Sequence, residues 1–269
     1  MDSNRFAVIT GASAGIGLAF AELLAARGFD LAIVARRADR LDEIAERLQA
    51  THGVTVLPIA LDLSERSAPA TLMQRVEDAG REVDVLVNNA GYAIPTRFTD
   101  TEWPAIEQFL EVLAIGQVDL MRRVLPGMRE RDYGRILNVA SLAAFAPENA
   151  GGLYGAVKRF MVSASRAVWK EHKGSNVHVT AVCPGYTRTE FHDVLGNRRQ
   201  IDRLPAFMWQ EVGAVVREGW KACERNRAVV ITGWNNKFLR VVCSIVPGRI
   251  IGRILPRSLR KRSGTQENA

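Results

Sequence analysis

The chain has 269 residues, 47% of them hydrophobic and 24% charged, a balance that argues against disorder and fits an ordinary soluble protein with a sizeable core. Three widely spaced cysteines (Cys183, Cys223, Cys243), odd in number and without a C-x-x-C pair, suggest neither a disulfide framework nor a zinc knuckle, and a reducing cytoplasm fits best. The net charge of +7 is local: residues 225–269 carry ten Lys/Arg against one acid, which leaves residues 1–224 at −2 and argues against a general nucleic-acid surface.

In chain order, continuous apolar runs rich in Val, Ile and Leu fall at Phe6–Thr10, Leu31–Ala35, Val54–Leu61, Val83–Val87, Arg135–Ala140, Val177–Cys183 and Ala228–Thr232. Such runs predict strands buried on both faces. The helix-like stretches between them predict an α/β fold with a single doubly wound parallel sheet and helices on both faces. Met1–Arg5 leads straight into the first run, so no secretory signal is expected. No linker, repeat or low-complexity tract divides the chain. Residues 1–233 are therefore read as one domain with a substrate lid at about 186–225, followed by a basic amphipathic extension at 234–269. The four histidines (His52, His172, His178, His192) show no metal spacing, and no metal is expected.

Thr10 to Gly17, read as Thr-Gly-Ala-Ser-Ala-Gly-Ile-Gly, lies between the first run and a helix-like segment. Glycines at 11, 15 and 17, with Ser13 and Ile16 between them, let the backbone turn tightly and approach a pyrophosphate at a helix N-terminus. After the second run stand Arg36 and Arg37, where an acid would bind a ribose 2′-hydroxyl; a guanidinium pair suits a 2′-phosphate, so NADP(H) is favoured over NAD(H). The plain alternative is a solvated basic start to the next helix, which also holds Arg40. Asp62-Leu63 closes the third run at a place suited to an adenine amino group. Asn88-Asn89-Ala90-Gly91 closes the fourth and can line a cofactor. A helical pattern then runs from Trp103 to Met128, ending at Pro126-Gly127. Ser141 ends the fifth run, and Tyr154 and Lys158, four apart, share one face of the next helix.

Together with Pro184-Gly185 and Thr189, these motifs occur in the order and spacing of the short-chain dehydrogenase/reductase family, which the chain resembles over roughly residues 5–233. The resemblance implies a Rossmann-type domain, NAD(P) as hydride carrier and oxidoreduction of a carbonyl/alcohol pair. A tyrosine can give the carbonyl its proton, but its pKa of about 10 must fall towards ~7, worth about 4 kcal/mol. Lys158 and the oxidised nicotinamide are the cations that favour the phenolate. Ser141 would stabilise charge growing on the substrate oxygen. By the resemblance, Lys158 also holds the nicotinamide ribose, while Asn89, Ala90, Gly91, Pro184, Gly185 and Thr189 line the cofactor.

One position departs from the family pattern. Leu113 stands where an Asn usually supports a water in the proton relay, and Gln117, one turn on, is the expected substitute unless water reaches Lys158 unaided. Phe191-His192 and Phe207-Met208-Trp209 fall in the expected lid, and their apolar character points to a lipophilic carbonyl or alcohol substrate. From 237 to 262 apolar pairs alternate with single cations, and the longest uncharged run, Val241–Gly248, is too short to span a bilayer. This segment suits an anionic membrane surface or a packed C-terminal helix pair. The chain is thus read as an NADP(H)-dependent carbonyl reductase, cytoplasmic or peripheral at a membrane and homo-oligomeric by resemblance. The runner-up is a non-catalytic cofactor-binding regulator or membrane-associated scaffold.

Overall fold

The structure, a computed structural model, describes residues 5–94, 96–146, 152–189 and 205–237. Seven parallel strands form one sheet: β1 (Phe6–Thr10), β2 (Asp30–Ala35), β3 (Val56–Ala60), β4 (Val85–Asn88), β5 (Gly134–Val139), β6 (Val177–Cys183) and β9 (Val229–Ile231), in the spatial order β3-β2-β1-β4-β5-β6-β9. All seven apolar runs are strands. A second, two-stranded sheet pairs β7 (Tyr186–Thr187) with β8 (Trp209–Gln210).

The helices are α1 (Gly15–Ala25), α2 (Ala38–His52), α3 (Ala68–Asp78), α4 (Trp103–Leu110), α5 (Gly116–Glu130), α6 (Tyr154–Glu171) and α7 (Val212–Glu224). Alternation along β1 explains the two layers they form. Ala7 and Ile9 point to a core shared with Phe20 and Leu24 of α1, Leu41 and Leu48 of α2, and Val215 and Trp220 of α7. Phe6 and Val8 point to the opposite core, with Leu72 of α3, Leu120 and Val124 of α5 and Met161 of α6. A strand buried on both faces has no polar side to display, so its sequence is a continuous apolar run.

Two differences from the sequence reading have local causes. The long helix does not end at Pro126-Gly127 but continues to Glu130, because the fixed φ of proline fits a helix and Pro126 forfeits only one N–H. Within the span expected to be lid, Val212–Glu224 is a helix packed on the sheet; Val215, Val216, Gly219, Trp220 and Cys223 form its buried stripe. The chain reverses direction across the sheet between β1 and β4, the switch point beside which ligands of such sheets bind.

Candidate active site

The glycine turn joins β1 to α1 at that switch point. Gly11 (φ +66°) and Gly15 (φ +56°) take left-handed backbone that a side chain disfavours, and a Cβ at Gly17 would overlap the Gly11 carbonyl oxygen. Helix α1 has no side-chain N-cap and no acid in its first turn, so its N-terminal partial charge is left for another anion. Ile16 packs on the core beneath. This Cβ-free cradle fits a dinucleotide pyrophosphate.

Arginines from the β2–α2 junction grip the same turn. Arg37 Nη2 donates to Ser13 Oγ (3.0 Å) and Arg40 Nε donates to the Ser13 carbonyl (2.8 Å). Arg36 lies apart from them. Its charge reaches Asp62, whose carboxyl sits below the ordinary value chiefly because the Ser64 backbone N–H donates to it (2.9 Å), with Arg36 a smaller cause. Arg36 also faces Tyr92, whose hydroxyl is pushed up by burial against the opposing pull of that guanidinium. The arginine pair legible in the sequence was Arg36-Arg37, whereas the pair that meets on Ser13 is Arg37 and Arg40.

Thr10 ties the glycine turn to the Asn88–Gly91 loop. Its Oγ1 donates to the Val87 carbonyl (3.2 Å) and accepts from the backbone N–H groups of Asn89 (2.9 Å) and Ala90 (3.1 Å). Asn89 Nδ2 returns bonds to the carbonyls of Thr10 (3.0 Å) and Gly11 (3.1 Å). Leu63 and Ala90 pack against the cluster that contains Leu113 and Tyr154. Sequence reasoning placed Thr10 in the motif without a role; its side-chain partners lie 77 to 80 residues away.

Ser141, Tyr154 and Lys158 come together at the ends of β5 and α6. Ser141 Oγ accepts from the Ala143 N–H (3.1 Å), which fixes the turn after β5, and the Ser141 hydroxyl acts on that of Tyr154. Tyr154 keeps partial exposure as a residue, but its hydroxyl is enclosed: burial pushes it up to about 12, against a smaller downward pull from Ser141. Lys158 Nζ donates to the Val139 carbonyl (2.7 Å) and lies 5.7 Å from the Tyr154 ring centroid. Burial lowers Lys158 to about 8, with Cys183 opposing. In the chain by itself desolvation outweighs the pull of Ser141, so the fall towards neutrality expected from the sequence rests on the second cation named there, the oxidised nicotinamide.

The lysine shift has a stability consequence. A folded-state value of about 8 below an ordinary 10.5 means that the folded chain binds fewer protons between those pH values, and the penalty is full below pH 8. Lys158→Met is expected to stabilise the protein at pH 7 by about 2 kcal/mol: about 3 from removing the buried charge, less about 1 for the Val139 carbonyl left without a donor. The gain should fade as pH rises through 8 and vanish by about 10.5. Urea melts at pH 7 and pH 10 check this, and a variant less stable than the parent at pH 7 would contradict it.

Leu113 is fully buried in an apolar cluster with Phe109, Val112, Val157 and the Tyr154 ring. It lies on a π-turn, Glu111–Ile115, that interrupts the helix between α4 and α5. Gln117, the expected substitute for the relay Asn, is buried, and its Nε2 donates to the carbonyls of Ala90 (3.1 Å) and Val112 (3.2 Å).

Pro184, Gly185 and Thr189 follow β6. The Pro184 carbonyl accepts from Leu142 N–H (2.8 Å), joining this segment to the Ser141 turn, and Thr189 stands over Gly15, 3.0 Å from where a Cβ would be. Gln210 of β8, which sequence reasoning missed, accepts through Oε1 from the Gly185 N–H (3.1 Å) and Thr232 Oγ1 (3.0 Å). Nothing in its local pattern distinguished it. Phe191 and His192, and the basic segment beyond Lys237, lie outside the described residues, as does part of the lid. Beside Tyr154 opens a small recess, about 10 Å³ and so room for about one water, where Phe98, Ile106, Phe109 and Leu153 meet Thr96 and Thr101. Among the described residues no helix is long and apolar enough to cross a membrane.

Comparison with known proteins agrees with this architecture. The sequence model of the short chain dehydrogenase family matches residues 5–200. A very-long-chain 3-oxoacyl-CoA reductase from Anas platyrhynchos is 35% identical over 197 residues, covering 71% of this chain and 62% of that protein. Among solved structures, a short-chain dehydrogenase from Sphingobium yanoikuyae in complex with NADPH is 31% identical, covers 98% of both chains and superposes with a TM-score of 0.79. The bulky-bulky ketone specific alcohol dehydrogenase from Comamonas testosteroni is 26% identical over 98% of this chain and 97% of that one, with a TM-score of 0.75. With its sheet order, glycine turn and family match in agreement, this chain belongs to the short chain dehydrogenase family.

Proposed function

We propose that the protein is an NADP(H)-dependent oxidoreductase that interconverts a carbonyl and an alcohol on a lipophilic substrate, with Ser141, Tyr154 and Lys158 as catalytic residues. The observation that carries this reading is the meeting, at Tyr154, of the buried Lys158 ammonium beside the ring with a small, mostly apolar recess. NADP(H) is supported by the arginines on Ser13 and by the relative solved with NADPH. When bound, the cofactor supplies the hydride; the chain's own residues manage the oxygen. Ser141 donates to the substrate carbonyl, and Tyr154 transfers its proton to that oxygen as negative charge develops there. Lys158 holds a positive charge beside the phenol and makes its loss of a proton easier.

At pH 7 a phenol near 12 and an ammonium near 8 are both protonated, which is the starting state for reduction. The substrate class is tested by NADPH oxidation with a bulky aryl ketone, a 3-oxoacyl thioester and a ketose sugar. The apolar compounds should exceed the sugar by at least about tenfold in kcat/KM, as expected where the side chains beside Tyr154 are mostly apolar. Equal rates would contradict a lipophilic substrate. A membrane surface for residues 237–262 is proposed from charge and apolar pattern alone. Sedimentation with anionic vesicles should show binding at low salt that weakens at high salt; no binding at low salt contradicts it.

A further inference from the structure

We propose that Gln117 is a positioning residue: its carboxamide holds the Asn88–Gly91 loop in register with Tyr154 across the π-turn. The inference rests on the proposed reading that this loop lines the cofactor and Tyr154 is the acid. A π-turn breaks the regular helical ladder, and here Gln117 Nε2 closes the break by donating to Val112 O while reaching across to Ala90 O. The main chain of the same residue accepts from Asn88 Nδ2 (3.1 Å), which also donates to Asn138 Oδ1 (2.9 Å) on β5. One residue thus fixes both the side chain that opens the loop and the carbonyl at its centre.

On one side of Gln117, the held loop is bonded through Ala90 and Asn89 to Thr10 and so to the glycine turn. On the other side the π-turn carries Leu113, which lies 3.4 Å from where a Cβ of Gly91 would be and packs in the cluster that includes Tyr154. The amide is thus a hydrogen-bonded link between the cofactor cradle and the acid, beside the direct packing of Ala90 and Gly91 on the Leu113 cluster. An independent observation separates this role from packing. Gln117 is 3% exposed, yet among the described residues its Oε1 has no hydrogen-bond partner, and Asn88 Oδ1 at the same joint has none either. Burying an amide with an unpaired oxygen is unfavourable, and a methionine would fill the space without that penalty. What methionine cannot do is donate to Ala90 and Val112.

The test is Gln117→Met, with Gln117→Glu, which at pH 7 offers only acceptors to the two carbonyls. Loss of register should lower kcat for ketone reduction about tenfold or more and leave the NADPH Kd within about threefold, since small misplacements cost rate steeply. The kinetic isotope effect with [4-²H]NADPH should rise as hydride transfer becomes limiting. Gln117→Glu should be the slower of the two. Unchanged kcat in either variant, or a fall that only tracks a lower folded fraction with an unchanged isotope effect, overturns the inference. A parent protein that oxidises NADPH with no ketone would instead remove the underlying functional reading.

Discussion

Tyr154→Phe is expected to lower kcat for ketone reduction about 10³-fold, equivalent to about 4 kcal/mol of transition-state stabilisation, while NADPH binds within about threefold of the parent. Phenylalanine keeps the ring between Leu113 and Leu153 and beside Lys158, and so preserves the recess and loses only the proton. The pH profile of the parent follows from the same geometry. Lys158 near 8 loses its charge above that pH, so kcat/KM for reduction should be level up to about pH 8 and decline beyond it. Tyr154→Phe should show residual activity without that decline. Stopped-flow NADPH consumption across pH 6–10 measures both. A variant retaining more than about a tenth of parental kcat would show that the carbonyl oxygen takes its proton from another group.

Replacing both Arg37 and Arg40 by Met is expected to raise the NADPH Kd about 100-fold, or about 2.7 kcal/mol, and to leave NADH within about threefold. Both guanidiniums are anchored on Ser13, one on its hydroxyl and one on its carbonyl, so they bring two positive charges to one residue of the glycine turn. A charge-assisted bond from each to a 2′-phosphate accounts for the magnitude. Arg36, which faces Asp62 and Tyr92, should behave differently: Arg36→Ala should weaken NADPH and NADH by similar factors. Fluorescence titrations of both nucleotides separate the two patterns. If the double variant loses NADH as severely as NADPH, Arg37 and Arg40 hold the turn and do not read the phosphate.

Much of this fold was legible because strand burial leaves a local mark. Each of the seven strands is a short apolar run, and the glycine turn, Asn88–Gly91, Ser141, Tyr154 and Lys158 lie at strand ends or in the turns and helices that follow. What local pattern does not encode is which distant groups meet. Thr10 reaches Asn89 and Ala90, Arg40 reaches Ser13, Gln117 reaches Ala90 and Gln210 reaches Gly185, all over separations of 25 residues or more. The π-turn escaped for a related reason: residues 111–115 have ordinary helical composition, and the irregularity is held by a side chain from outside the turn. The lid was overextended because the helical stripe at Val215, Val216, Gly219 and Trp220 was read with the irregular segment before it. The desolvation of the phenol was not legible because it depends on the assembled cluster around Tyr154, which no single segment contains.

The most direct test of the central claim is a single-turnover experiment with stoichiometric NADPH and an excess of bulky apolar ketone, in which nicotinamide absorbance and product alcohol are followed together. One alcohol should form per NADPH oxidised in the parent, with neither change in Tyr154→Phe on the same timescale. NADPH oxidised without alcohol, or alcohol formed equally fast by the phenylalanine variant, would contradict it.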